Sequence, residues 1–90
     1  MHAVGTAGSE PGQLYYPYAL VFDDEQNVYI CEYGNHRVQK FTPTGESLGT
    51  WGGPGHEPGR FNSPWALAVD SRGAVHVLDS ENDRVQRIDF

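Results

Sequence analysis

The chain has 90 residues and carries twelve acidic against six basic side chains, a formal charge of −6. That balance opposes simple electrostatic attraction to phosphate backbones or anionic membranes. No segment approaches the roughly 18 consecutive apolar residues that cross a bilayer, and the N-terminus lacks the basic and apolar regions of a signal peptide, so a soluble protein is expected. The single cysteine, Cys31, excludes a disulfide framework or a cysteine-based zinc cluster within one chain.

Residues 10–41 are written a second time at 57–88, at an offset of 47 residues that holds along the whole chain. Of 43 aligned positions, 14 are identical. Glu10-Pro11-Gly12 returns as Glu57-Pro58-Gly59, Pro17 as Pro64, Asp23 as Asp70, and Asn35-x-Arg37-Val38-Gln39 as Asn82-x-Arg84-Val85-Gln86. A period of this length marks a solenoid, propeller or array, in which one repeat cannot bury its own apolar faces.

In chain order, residues 1–6 align with Leu48–Gly53, so the chain is expected to open with a strand of the type that closes the first repeat. A Pro-led run follows, Pro17–Phe22 and again Pro64–Val69, rich in strand formers and ending at Asp23 or Asp70; this is strand A of each repeat. After a polar turn come Val28–Cys31 and Val75–Leu78, near-continuous and apolar, read as strand B buried on both faces. Strand C, Arg37–Phe41 and Arg84–Ile88, alternates polar and apolar residues. Pro43-Thr44-Gly45 turns into strand D, Ser47–Trp51, and a Gly/Pro-rich link from Gly52 to Pro58 leads to the second repeat. Helical periodicity of useful length is absent.

Four short antiparallel strands per repeat with a Gly/Pro link describe a propeller blade. Each copy also resembles an NHL repeat, through Asn35-His36-Arg37-Val38-Gln39, its echo at residues 82–86 with Asp83 in place of His, and Gly59-Arg60-Phe61 ahead of Pro64. The resemblance implies an all-β, six-bladed β-propeller. On this reading residues 1–6 form an outer strand donated to a neighbouring copy, residues 7–53 form the first four-stranded blade, and residues 54–90 form a second blade lacking its own outer strand. Two blades per chain are expected to complete the six-bladed ring as a homotrimer with exchange of the N-terminal D strand. The positions of the chain ends equally suit an excerpt of a longer repeat protein, natural or engineered.

Residues present in both repeats are read as structural. Asp23 with Arg37 and Asp70 with Arg84 are expected to form ion pairs at the blade corner, and Asn35 and Asn82 to bond the backbone of their own loops. Residues outside the repeat's requirements are the better candidates for recognition. Tyr15, Tyr16 and Tyr33 have Asn62, Ser63 and Ser80 as counterparts, and with Glu32, His36 and Asn62 they are assigned to a ligand face formed by loops at one end of the blades. Tyr18 and Trp65 are read as filling space between blades. The four histidines, His2, His36, His56 and His76, lack metal-ligand spacing, and neither a metal nor another cofactor is expected.

The function expected is therefore a non-enzymatic, self-assembling scaffold whose partners are copies of itself and a peptide, protein or small ligand. The alternative is part of a metal-dependent propeller enzyme of lactonase or lyase type, for which no nucleophile–base pair or metal signature is visible. Related propellers that bind RNA imply a basic face, whereas the candidate loops here are acidic and aromatic.

Overall fold

A computed structural model describes residues 6–88. Among these residues nine strands form, in the order β1 (Thr6–Ala7), β2 (Gln13–Leu14), β3 (Pro17–Phe22), β4 (Val28–Glu32), β5 (Arg37–Phe41), β6 (Ser47–Gly52), β7 (Pro64–Val69), β8 (Val75–Asp79) and β9 (Arg84–Ile88). A short 3-10 turn, Ser80–Asn82, precedes β9. Strands β3-β4-β5-β6 make one antiparallel sheet, blade 1, and β7-β8-β9 make a second, blade 2. The A, C and D runs foreseen in the sequence become β3, β5, β6, β7 and β9, and strand B extends one residue further in each blade, to Glu32 and Asp79. The N-terminal strand expected over residues 1–6 lies almost wholly outside the described residues. Thr6 itself pairs in parallel with Gln13, as part of β1 and β2.

The small parallel contact of β1 with β2 has its own echo. Ala7 pairs with Leu14, and the counterparts Pro54 and Phe61 form an isolated parallel bridge. Each link therefore doubles back on itself before entering strand A, a feature too short to leave a pattern in the sequence. Gly52, at φ +111°, carries the turn, and a side chain there would run into the ring of Phe61.

Strand β4 is buried along its whole length, the central-strand character read from its unbroken apolar run. One of its faces, with Tyr29 and Cys31, joins Val38 of β5 and meets Phe61, Val75 and Val77 of blade 2, forming the core between the blades. The other face, with Val28 and Ile30, packs with Phe41 and Leu14. Cys31 is fully buried, its Sγ donates to the Pro64 carbonyl at 3.2 Å, and burial pushes its thiol up to about 12.

Both A strands carry the same irregularity. The register between β3 and β4 shifts between Pro17 and Ala19, and that between β7 and β8 shifts between Pro64 and Ala66. Proline cannot donate to the ladder, and a shift beside it turns the next side chain out of the regular alternation. The residues so placed are Tyr18 and Trp65.

Phe61→Ala, which opens a cavity between the blades, is expected to cost about 3–5 kcal/mol in denaturant unfolding. Cys31 should resist thiol reagents at mildly alkaline pH in the folded chain and react at once in denaturant; ready modification of the native protein would contradict its burial.

Candidate functional site

The end of each blade is built around one buried carboxylate. Glu32, the last residue of β4, accepts hydrogen bonds from Tyr15 N–H (3.1 Å), Asn35 Nδ2 (2.7 Å), Arg37 Nε (2.6 Å) and Gln39 Nε2 (2.8 Å). Asp79, at the end of β8, accepts the equivalent four from Asn62 N–H (2.6 Å), Asn82 (3.0 Å), Arg84 (2.8 Å) and Gln86 (3.1 Å). Arg37 and Gln39 lie on one face of β5 because they are two residues apart, so both aim at the same point while Val38 faces the core.

The donors also reach outward. Arg37 bonds the carbonyls of Ser9, Glu10 and Gln13, Asn35 that of Gly8, and Gln39 that of Gln13 while accepting from Gly12 N–H. In blade 2, Arg84 bonds Glu57 and Arg60, Asn82 bonds Gly55, and Gln86 bonds Arg60 and Gly59. A Gly/Pro link with little backbone ladder of its own is thus held by the side chains of strand C.

Three sequence-based assignments change. Arg37 and Arg84 pair with Glu32 and Asp79, not with Asp23 and Asp70. The reason is topological: strand A ends where strand B begins, whereas strand C begins where strand B ends, so the expected partners stand at opposite ends of β4 or β8. Besides Glu32 and Asp79, Asn35 and Asn82 bond carbonyls of the preceding link, Gly8 and Gly55, rather than the backbone of their own loops. Glu32, assigned to the ligand face, is fully buried, and its four donors match the roughly four lone-pair sites of a carboxylate, leaving no acceptor for a ligand.

Asp23 and Asp70 instead close the turns at the other end. Asp23 accepts from the N–H groups of Glu25 and Asn27 and from Tyr29 Oη, with Lys40 Nζ at 3.9 Å. Burial pushes its carboxyl up, but these bonds and Lys40 outweigh that and hold it below its ordinary value. Asp70 is brought down to about 2, first by His76 Nε2 at 2.9 Å and then by the Arg72 N–H. At Asp79, too, burial raises the carboxyl and the four donors outweigh it, so the net direction is down.

Above the Glu32 cluster, an open cleft of about 630 Å3 lies at the junction of the two blades. Tyr15, Tyr16, Pro17, Tyr18, Tyr33, Gly34, His36 and Trp65 line it. The rings interlock: Tyr15 with Tyr16 at 4.8 Å, Tyr18 edge-on to Tyr33 at 5.7 Å, and Tyr18 stacked on Trp65 at 5.3 Å with 16° between planes. His36, in left-handed conformation, accepts the Ser63 N–H at 2.9 Å through Nδ1, which leaves its proton on Nε2.

Of the assigned ligand-face residues, the fold therefore gathers Tyr15, Tyr16, Tyr33 and His36. Asn62 does not line the cleft; its backbone bonds Asp79 and Glu81. Tyr18 and Trp65 do stand between the blades, but they are half-exposed and form the cleft wall. Gly34 was missed altogether: the Tyr15 ring lies against its backbone so closely that no side chain fits there. Its counterpart is Glu81, and that divergence within the repeat is the signal that could have found it.

Among the described residues, no group of three or more His, Cys, Asp or Glu side chains is placed to hold a metal, and no helix is long and apolar enough to cross a membrane. A four-stranded and a three-stranded antiparallel sheet, packed against each other and each locked to a Gly/Pro link by an Asn-x-Arg-x-Gln set around a buried carboxylate, have the form of β-propeller blades. A model of the NHL repeat family matches residues 14–41 and 61–88, more than half of the chain, and the chain belongs to that family. No curated protein matches it.

Arg37→Ala leaves Glu32 buried with an incomplete donor set and is expected to cost about 3–5 kcal/mol, with Arg37→Lys recovering only part because an ammonium cannot reproduce the guanidinium fork. Acid should destabilise the chain. The folded-state values of Asp70 and Asp79 lie below their ordinary 3.8, so their contribution is complete above about 4 and is lost as pH falls, towards about 2 for Asp70. Asp70→Asn should flatten part of that slope in urea melts collected across this range.

Proposed function

We propose that the chain is a non-enzymatic β-propeller interaction module whose ligand, a short peptide segment, lies in the aromatic cleft between the blades. The observation that carries this reading is where the repeats diverge. Tyr15, Tyr16, Tyr33, Gly34 and His36 stand at positions where the second repeat has Asn62, Ser63, Ser80, Glu81 and Asp83, and all five line one cleft. In blade 2 the corresponding groups satisfy one another, with Ser63 Oγ donating to Glu81 at 2.5 Å and Ser80 Oγ to the Ser63 carbonyl at 2.6 Å. The fold thus tolerates polar residues there, and the aromatic set is surplus to its needs.

Tyrosine and tryptophan offer large contact area with few rotatable bonds, together with polar groups at the ring edge, which suits a peptide. No lysine or arginine lines the cleft, and the net charge is −6, so a phosphate backbone is a poor fit. The buried carboxylates that might serve acid–base chemistry are saturated by their donors, which favours binding over catalysis.

The test is to select binders from a displayed library of random peptides and measure them against the double variant Tyr15→Asn, Tyr16→Ser, which gives blade 1 the residues of blade 2. Selected peptides should perturb Trp65 emission, and their affinity should fall by about tenfold or more with little change in melting temperature. Failure to enrich any peptide, or equal binding by the double variant, would refute the reading.

A further inference from the structure

The chain buries one blade-to-blade junction and leaves the two matching faces uncovered. Within the chain, Val38 and Cys31 of blade 1 are sealed against Val75, Val77 and Phe61 of blade 2. The 47-residue offset identifies the corresponding faces at either end of the pair. Blade 2 presents Leu78 and Val85 where blade 1 presents Cys31 and Val38, and blade 1 presents Leu20 and Phe22 where blade 2 presents Leu67 and Val69. Val38 is fully buried, whereas Val85 is 62% exposed, and Leu20 and Phe22 are 56% and 61% exposed. Large apolar side chains left open in this way mark an interaction surface.

We propose that each uncovered face is occupied by a second copy of this chain, head to tail, so that the junction between blades 1 and 2 is rebuilt between chains. The occupant is specified by continuity with the internal interface: what covers the Val38 face is a blade with the Phe61 pattern, and Leu14, Leu20, Phe22, Val28, Ile30 and Phe41 repeat that pattern on the far side of blade 1. Volumes are exchanged across the new junction. Ala68 is smaller than its counterpart Val21, and Phe22 is larger than its counterpart Val69, a substitution that conserves total packing.

Two further details fit the same geometry. His36 and Ser63 meet through a hydrogen bond with both backbones left-handed, at φ 54° and 56°. Their counterparts Asp83 and Tyr16 hold the same conformation, at φ 53° and 50°, so the Asp83 carboxylate is set to accept the Tyr16 N–H of the next copy. Tyr18 stacks on Trp65 within the chain, yet the two residues remain 56% and 51% exposed. That exposure leaves room for the Trp65 or Tyr18 of a neighbour to extend the aromatic contact. A head-to-tail contact must close or grow without limit, and three copies, with six blades, make the closed form expected from the sequence.

This inference does not depend on what the cleft binds. Light scattering after size exclusion should find the chain at three times its 10.0 kDa mass at micromolar concentration. Leu20→Asp and Val85→Asp each spoil one face at a solvent-exposed position, so each variant alone should run as a folded monomer. Mixed together they should form a heterodimer, because each retains the face that the other lacks. Asp83→Ala should raise the dissociation constant by about tenfold, with Asp83→His, which restores an acceptor nitrogen, recovering most of it. A monomeric parent chain, self-association by either variant alone, or no heterodimer in the mixture would overturn the proposal. Asp83→Ala keeps it open to refutation should the face variants fail to fold, since parent-like assembly of Asp83→Ala would remove the junction as drawn.

Discussion

Each blade depends on a carboxylate buried at the end of its central strand. An ionised group in that position is tolerated only when charge-assisted hydrogen bonds replace its water. The four donors around Glu32 and around Asp79 meet that demand, and in meeting it they determine much else. Because Asn, Arg and Gln must converge on one point, the turn between strands B and C has a defined path and strand C a defined register. Because the same side chains have donors to spare, they also bind the carbonyls of the link. A connection rich in glycine and proline, which would otherwise lack partners, becomes part of the blade.

The aromatic cleft is a consequence of that anchoring. Tyr15 donates its backbone N–H to Glu32, Tyr16 accepts at its carbonyl from the Tyr33 N–H, and the Tyr15 ring rests on Gly34. The segment carrying the rings is therefore fastened at its backbone while its side chains remain free to face solvent. A main chain bound in this way holds its exposed side chains in a fixed arrangement. It also explains how the two repeats can differ so strongly at these positions while superimposable hydrogen bonds persist beneath them.

Repetition carries information about a residue's role but not about its partner. The Asp, Asn, Arg and Gln residues kept in both repeats make equivalent hydrogen bonds in each blade, but repetition alone does not give their partners. Asp23 and Arg37 are equally persistent, and pairing them looked natural by charge. The antiparallel path of strand B separates them by its full length, and the true partner of Arg37, Glu32, was obscured because its counterpart is Asp79 rather than an identical residue. A change from glutamate to aspartate hides a shared chemical role behind a sequence difference, so that Glu32 reads in the sequence as a residue the repeat does not require. Tyr15, Tyr16, Tyr33 and His36, which line one cleft, stand out in the sequence because they break the repeat. Gly34 breaks it too, but an absent side chain announces itself only when a ring is seen lying against it.

The sequence by itself determined the 47-residue repeat, the order of strands A to D and the central, doubly buried position of strand B in blade 1, since these follow from local patterning of apolar residues and turn formers. Only the tertiary structure decided which charges meet, which link each strand-C side chain ties down, and that Tyr18 and Trp65 stack across two blades. Those outcomes depend on the order and direction of strands in space, where residues far apart in the chain are brought within bonding distance and neighbours in the pattern are carried to opposite ends of a sheet.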